Sequence, residues 1–183
     1  TAGIDVNLDR ASQIGGFAHG DVLVGIEDVW GSNYNDVIGG NAVANVIHGG
    51  AGDDQINGRG GFDRINGGDG NDTIYGMDDK DTLYGDNGND SIDGGIDNDL
   101  IYGGDGADTL LGQEGDDTLY GEGGKDSLYG GDGADSMYGG DAEDKLFGGA
   151  GNDTMDGGSS QDSLEGGAGD DLMTGADGDD TLN

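Results

Sequence analysis

A nine-residue repeat is the feature that most constrains the fold of this chain. From Gly31 onward, the 183-residue sequence divides into 17 consecutive rows of nine without an insertion. Gly stands at position 1 of all 17 rows, Asp at position 6 of 16 of them, and Ile, Leu or Met at position 8 of all 17. A repeat kept in phase over this length indicates a stack of like structural units rather than a conventional globular core.

The order of residue types within a row predicts its local structure. Positions 1 to 6 hold the Gly and Asp residues that allow positive φ and tight turns. Positions 7 to 9 predict a three-residue strand with one inward side chain. Two rows of nine then make one full coil with parallel strands on opposite faces. The sequence therefore predicts an all-β fold, a right-handed parallel β-roll (β-solenoid) with two short parallel sheets, about 8.5 coils and a length of roughly 40 Å.

The core of such a roll is thin, and composition shows what opposes its folding. Leu, Ile, Val and Phe make up only about 18 % of the chain, which is in the range of disordered proteins. The formal net charge is −34, from 40 acidic and 6 basic residues. Self-repulsion of this size opposes compaction. The chain is therefore either a disordered polyanion or a fold that requires a cation.

The position-6 aspartates indicate which cation that is. Asp54, Asp72 and Asp90 are each two rows apart, which places them on one edge of the roll in successive coils. Calcium suits such sites because it takes six to eight oxygen ligands in flexible geometry, whereas magnesium demands a stricter octahedron. Zinc prefers Cys or His, and the chain has no Cys and two His. Up to about 15 Ca²⁺ ions between coils would nearly neutralise the chain, so folding and metal binding should be one reaction.

The predicted metal ligands are the position-6 aspartates together with turn glycines that supply backbone carbonyls. The aspartates are Asp36, Asp54, Asp63, Asp72, Asp81, Asp90, Asp99, Asp108, Asp117, Asp126, Asp135, Asp144, Asp153, Asp162, Asp171 and Asp180. The glycines are Gly49, Gly52, Gly67, Gly70, Gly85, Gly88, Gly103, Gly106, Gly112, Gly115, Gly121, Gly124, Gly130, Gly133, Gly148 and Gly151.

Six rows depart from glycine at position 4, and four of these departures fall in two neighbouring pairs, one pair on each edge. Asp79 and Asp97 replace the glycine in two successive turns of one edge, and Ala142 and Ser160 do so on the other. We therefore expect weaker calcium sites between Asp81 and Asp99 and between Asp144 and Asp162.

The row pattern G-G-x-G-x-D-x-U-x, as in GGAGDDQIN from Gly49 and GGDGNDTIY from Gly67, resembles a known family. It is similar to the RTX, or hemolysin-type, calcium-binding repeats of secreted bacterial proteins, including serralysin C-terminal domains and the repeat modules of mannuronan epimerases. The resemblance implies a C-terminal-side module of a larger protein that a type I system exports to the extracellular medium. It also implies that residues 1–30, with strand-like Ile4–Leu8 and Asp21–Trp30, cap the repeat of residues 31–183.

Two functions from different classes remain open. The first is a calcium-driven folding module, monomeric and without a catalytic constellation of its own. The second is a module that binds an extracellular polysaccharide such as alginate, a cell surface or other domains of the larger protein. Tyr84, Tyr102, Tyr120 and Tyr138, each two rows apart, would form an outward aromatic row for it, although simple cross-strand stacking explains the row as well. Nucleic acids and anionic membranes are excluded as partners because so acidic a chain repels them.

Overall fold

A computed structural model, which describes residues 3–9 and 25–183, contains two parallel β-sheets and no helix in that part of the chain. Sheet 1 consists of β1 (Asp5–Asn7), β3 (Val37–Gly39), β5 (Gln55–Arg59), β7 (Thr73–Met77), β9 (Ser91–Ile96), β11 (Thr109–Glu114), β13 (Ser127–Asp132), β15 (Lys145–Ala150), β17 (Ser163–Ala168) and β19 (Thr181–Leu182). Sheet 2 consists of β2 (Asp28–Trp30), β4 (Val46–Ala51), β6 (Arg64–Asp69), β8 (Thr82–Asn87), β10 (Leu100–Asp105), β12 (Thr118–Gly123), β14 (Ser136–Asp141), β16 (Thr154–Ser159) and β18 (Leu172–Thr174).

The chain alternates between the sheets, so each strand pairs in parallel with the strand one full turn later. Ile101 on β10 lies opposite Leu83 on β8 and Leu119 on β12, so the register is one coil in both directions. The fold is thus a parallel β-solenoid of about 9 turns with 18 residues per turn. The predicted coil length, strand direction and pairing of like rows are confirmed.

The core lies between the two sheets. Each sheet contributes one line of position-8 side chains to it. The position-8 side chains from Ile38 to Leu164 have relative exposures of 0 to 1 %. The last two members differ, because Met173 is only partly buried and Leu182 is 45 % exposed. The apolar side chains are therefore fully buried from Ile38 to Leu164 and less buried at the last two positions of the described chain.

The strands are longer than the three residues that the sequence suggested. Most have five or six residues and continue into position 2 or 3 of the next row, as in β8, where Leu83 and Gly85 are both buried. Each of these strands thus turns two positions inward, one apolar and one glycine. The prediction that positions 1 to 6 form only a turn is wrong for its first half.

Position 1 is glycine because there is no room for a side chain, and not because the backbone conformation requires it. Gly121 lies in an extended strand without positive φ, but a Cβ on it would meet Asp126 Oδ2 and lie 2.5 Å from the carbonyl oxygen of Gly139. Positive φ falls instead at positions 2 and 4, for example at Gly104 with φ of +112° and at Gly106 with φ of +146°. The invariance of glycine at position 1 therefore marks a place where oxygen atoms crowd the backbone.

The two described strands of the N-terminal segment extend the solenoid. Val6 on β1 pairs with Ile38, and Val29 on β2 pairs with Ile47, so both valines join the core column. The predicted strand at residues 4–8 is confirmed over Asp5–Asn7. Of the predicted strand at 21–30, only Asp28–Trp30 is observed, and residues 21–24 lie outside the described residues. No helix of the described ranges is long and apolar enough to cross a membrane.

The crowding at position 1 predicts a sharp difference between two neighbouring glycines. Gly121→Ala should destabilise the calcium-loaded protein by about 1–3 kcal/mol, because its Cβ overlaps oxygen atoms of two turns. Gly123→Ala is the matched control, since its Cβ would meet only Asp105 Oδ1 at 3.4 Å and Gly104 O at 3.8 Å. Urea unfolding in saturating calcium measures both. An equal loss of unfolding free energy in the two variants would contradict the explanation that position 1 lacks room for a side chain.

Candidate metal centre

Two ladders of buried aspartates follow the two edges of the solenoid. The turns that lead into sheet 1 carry Asp36, Asp54, Asp72, Asp90, Asp108, Asp126, Asp144, Asp162 and Asp180. The turns that lead into sheet 2 carry Asn45, Asp63, Asp81, Asp99, Asp117, Asp135, Asp153 and Asp171. All members through Asp162 on the first edge and Asp153 on the second are at most 3 % exposed, whereas Asp171 and Asp180 are half-buried. The structure thus stacks the predicted ligands as their two-row spacing required.

One carboxylate oxygen of each ladder aspartate binds the preceding coil. The backbone N–H of Asp90 donates to Asp108 Oδ1, and that of Asp108 donates to Asp126 Oδ1, both at 2.8 Å. The same bond recurs between coils along both edges at 2.7 to 3.0 Å. These hydrogen bonds fix the rotamer of each carboxylate and therefore the direction of its second oxygen.

The second oxygen has no hydrogen-bond partner. Unpartnered, fully buried Oδ2 atoms belong to Asp54, Asp63, Asp72, Asp81, Asp90, Asp99, Asp108, Asp117, Asp126, Asp135, Asp144, Asp153 and Asp162. Burying an ionised carboxylate oxygen without a partner is costly, and thirteen repetitions at one position cannot be an accident of packing. The described part of the fold therefore points to a ligand for this row of oxygens.

Eleven of the thirteen unpartnered oxygens, all but those of Asp99 and Asp162, lie with a main-chain carbonyl oxygen of the next coil around a position-1 glycine. A Cβ on Gly85 would meet Asp90 Oδ2 and would lie 2.5 Å from the carbonyl oxygen of Gly103 in the next coil. Gly121 has the same surroundings from Asp126 Oδ2 and Gly139 O. A carboxylate oxygen and a main-chain carbonyl thus converge on one point between successive turns. Oxygen-only donors in a flexible turn are the donor set that calcium prefers.

This donor set differs from a metal site built from side chains alone. The described ranges contain no group of three or more His, Cys, Asp or Glu side chains that could hold a metal ion. A site between two coils has at most two ladder carboxylates, and carbonyl oxygens would supply the remaining ligands. The residues fit calcium and do not fit zinc, which requires nitrogen or sulfur ligands.

Burial makes the ladder carboxylates resist ionisation. Burial is the main cause that raises the pKa of Asp81 to about 8, while a hydrogen bond from the Asp63 backbone opposes the shift and neighbouring carboxylates add to it. Burial likewise raises the pKa of Asp99 and Asp135 to about 7 and that of Asp108 to about 6. Without a cation, the folded ladder therefore favours partial protonation near neutral pH.

Position 5 forms a further ladder of hydrogen bonds between coils, which the sequence analysis did not predict. The backbone N–H of Asn89 donates to Asn71 Oδ1 at 2.8 Å, and that of Ala107 donates to Asn89 Oδ1 at 2.7 Å. These bonds run opposite to those of the position-6 ladder, since here the later coil donates. The same backbone donation from Asn71 is the main cause that lowers the pKa of Asp53. The signal was the recurrence of Asn and Asp at position 5.

The turns that lack glycine at position 4 follow the same backbone path as the others. Asp79, Asp97, Ala142 and Ser160 all adopt positive φ, between 72° and 93°, in place of glycine. The ladder hydrogen bonds at these turns, from Asp81 to Asp99 and from Asp144 to Asp162, measure 2.7 and 2.8 Å. Side chains other than glycine are strained at such φ. Weaker calcium binding at these two sites stays a prediction that rests on this strain.

The first turn of each ladder differs from the rest. Asp36 accepts hydrogen bonds at both oxygens, from the backbone of Ser32 at 2.5 Å and of Ile4 at 2.6 Å. Asn45 Oδ1 accepts from the Asn41 backbone at 2.9 Å, and its Nδ2 has no partner. The free carboxylate oxygens therefore begin with Asp54 and Asp63, and Asp36 is the predicted ligand whose oxygens are already engaged.

The aromatic row of sheet 2 forms a continuous stack. Tyr84, Tyr102, Tyr120 and Tyr138 lie with ring centroids 4.8 to 5.0 Å apart and planes within 8° of parallel. Both faces of the interior rings are thus covered by neighbouring rings. A sugar ring that packs on an aromatic face finds none free between these tyrosines, so the stack supports the structural interpretation of the row.

The protein is thus an all-β solenoid that carries buried oxygen sites suited to a hard cation. A family model for the RTX calcium-binding nonapeptide repeat matches overlapping segments from residues 30–65 to residues 147–182. The chain belongs to the RTX calcium-binding repeat family, and its β-roll is a calcium-binding one. A search of curated proteins found no match.

The raised pKa values predict that acid partly substitutes for calcium. Burial raises the pKa of the thirteen ladder carboxylates from Asp54 to Asp162 in the folded state, so their protonation favours folding. That contribution is complete below about pH 4 and is lost as the pH rises through about 6 to 8. In calcium-free buffer, the β signal in circular dichroism should therefore grow as the pH is lowered from about 8 to about 4.

The same titration in saturating calcium is the control. There, acid should weaken the fold, because protons compete with calcium for the carboxylates. A β signal that falls on acidification without calcium would contradict the pKa shifts.

Proposed function

We propose that this chain is a calcium-driven folding module of a larger bacterial protein that a type I system secretes. The observation that carries the proposal is the set of thirteen buried, unpartnered Oδ2 atoms in the described part of the two ladders, eleven of which share their surroundings with a main-chain carbonyl of the next coil. Such a row is unfavourable without a cation and favourable with one. Folding would therefore depend on the calcium concentration around the chain.

The charge of the chain supports an unfolded state where calcium is scarce. A formal charge of −34 on 183 residues favours an extended chain, and the single apolar column offers little to oppose it. The turns that would hold calcium exist only when neighbouring coils are stacked. Metal binding and folding are then one equilibrium, as in other small metal-dependent domains.

Family membership supports the cellular setting. RTX repeats are typical of secreted bacterial proteins. A chain that stays extended in the calcium-poor cytosol can pass through a narrow export channel and fold in the calcium-rich medium outside. The module would act there as a rigid, calcium-dependent part of the larger protein.

Calcium titration tests this function directly. In excess chelator we expect an expanded chain by small-angle scattering and little β signal, and calcium should produce a compact β-rich rod in one cooperative step. Magnesium at the same concentration is the control and should fail, because its octahedral geometry does not suit the turn. A compact β-rich state that persists in excess chelator would overturn the proposal.

The position of an aspartate in its ladder should decide how strongly its loss affects folding. Asp108→Ala removes the acceptor of the Asp90 N–H and a free oxygen between two coils, at a cost of about 1.5–3 kcal/mol. Asp180→Ala removes an acceptor only at the half-buried final turn, so it should merely fray the end. Asp171→Ala should resemble Asp180→Ala. The calcium midpoint for folding should therefore rise clearly more for Asp108→Ala.

Equal midpoints for the interior and terminal variants would mean that the carboxylates do not act between coils. Circular dichroism at each calcium concentration gives the midpoints, and the magnesium titration above serves as the baseline for non-specific ion effects.

The alternative function, binding of an extracellular polysaccharide or surface, has weaker support. Neighbouring rings cover both faces of Tyr102 and Tyr120, which leaves little of the platform that motivated it. Calorimetry with alginate and other acidic polysaccharides at fixed calcium would reveal such binding, and its absence would leave the folding module alone.

A further inference from the structure

Sheet 2 presents four phenol rings in a row that the calcium sites do not use. Neighbouring rings are held at centroid distances of 5.0 Å for Tyr84 and Tyr102, 4.9 Å for Tyr102 and Tyr120, and 4.8 Å for Tyr120 and Tyr138. The parallel register places like residues opposite each other, so the four tyrosines occupy successive strands β8, β10, β12 and β14. Each phenol therefore has another phenol as its nearest aromatic neighbour.

The row lies on the outer face of the sheet and is open to solvent along its edge. Tyr84, Tyr102 and Tyr120 are half-buried, and Tyr138 is exposed. Arg64 lies over the outer face of Tyr84, with its Cζ 4.6 Å from the ring centroid. Asp156 follows Tyr138 on the next strand, so the phenol row ends there. The described stack is thus a bounded set of four phenols whose edges small oxidants can reach.

We propose that this tyrosine row is an oxidative cross-linking site, at which a peroxidase and hydrogen peroxide join phenols of adjacent coils into dityrosine. Tyrosyl radicals couple only when two of them meet, and the sheet holds the rings in contact before either is oxidised. The inference rests on the fold of sheet 2. The expected effect of the bridges on calcium-dependent folding rests in addition on the proposed function.

The reaction balances with one peroxide per bridge. Each of two phenols gives up one electron and its hydroxyl proton, which leaves two tyrosyl radicals. The radicals couple through the ring carbons next to the carbon that bears oxygen. One C–H bond on each ring is then lost, and the two hydrogens pass through solvent to the oxygens and restore both hydroxyls. The two electrons and two protons that were removed reduce one hydrogen peroxide to two waters.

The bridge would have a consequence for the fold. A bond between Tyr84 and Tyr102 closes a loop of one full coil, because the two tyrosines lie opposite each other in the register of β8 and β10. In the chain-entropy model, closing a loop of about this size shifts the folding equilibrium by about 100-fold. A bridged roll should therefore keep part of its β structure when calcium is removed. Oxidation outside the cell would convert a calcium-dependent fold into a covalently held one.

The chain carries its own controls for this chemistry. Tyr129 stacks on Phe147 at 4.9 Å, which gives the same geometry but only one phenol. Tyr75 has Asn57 and Asp93 opposite it on the neighbouring strands of sheet 1. Neither tyrosine should form a bridge within the molecule if contact between two phenols is what matters.

The experiment treats the calcium-loaded protein with a haem peroxidase and limiting hydrogen peroxide at low protein concentration. We expect dityrosine fluorescence in the monomer, and digestion with an aspartate-specific protease should place the bridges between Tyr84 and Tyr102, Tyr102 and Tyr120, or Tyr120 and Tyr138. The double variant Tyr102→Phe/Tyr138→Phe keeps the ring stack but separates the two remaining phenols by one phenylalanine. It should lose nearly all of the monomer's dityrosine.

Two results would overturn the proposal. One is equal dityrosine in the monomer of the wild-type chain and the double variant, and the other is bridging that involves Tyr75 or Tyr129 as readily as the row. Chelator added after cross-linking separates this inference from the proposed function. If the untreated chain also stays folded in chelator, calcium-driven folding fails, whereas the mapped bridges still establish the cross-linking site.

Discussion

The buried aspartates of successive coils repel each other, and the rest of this structure depends on how that repulsion is overcome. Residues one coil apart occupy the same position in neighbouring turns, so each buried aspartate lies directly beside another in the next turn. The backbone N–H groups satisfy only one oxygen of each pair, as between Asp90 and Asp108. The other oxygen, Asp108 Oδ2 for example, is left buried without a partner. A cation that accepts carboxylate and carbonyl oxygens turns this unfavourable arrangement into the attraction that holds the turns together.

The apolar core is too narrow to oppose that repulsion alone. Each row from Ile38 to Leu164 contributes one buried apolar side chain and places a glycine at its second inward position. The glycine is required because oxygen atoms of two turns occupy the space a Cβ would fill. The same feature that makes room for the metal therefore thins the core. Stability and calcium binding cannot be optimised separately in this fold.

Periodicity let the sequence predict the coil length, the parallel pairing, the position-8 core and the stacking of aspartates such as Asp72 and Asp90. These follow from translation alone. The length of the strands and the purpose of the position-1 glycine did not follow, because both depend on where side-chain oxygens point in the folded turn. The position-5 ladder, with Asn71 and Asn89, was missed for the same reason, since hydrogen-bond direction is a property of turn geometry.

Strict repetition has different consequences for different side chains. Aliphatic residues stacked on their like form a dry column, and phenols such as Tyr102 and Tyr120 form a stable row of rings. Carboxylates stacked on their like require a counter-ion. The first and last described coils differ from the interior: Asp36 accepts backbone hydrogen bonds at both oxygens, and Leu182 is largely exposed. If calcium drives folding as proposed, its effect on stability should therefore be largest in the interior of the roll, where every turn has a neighbour on each side.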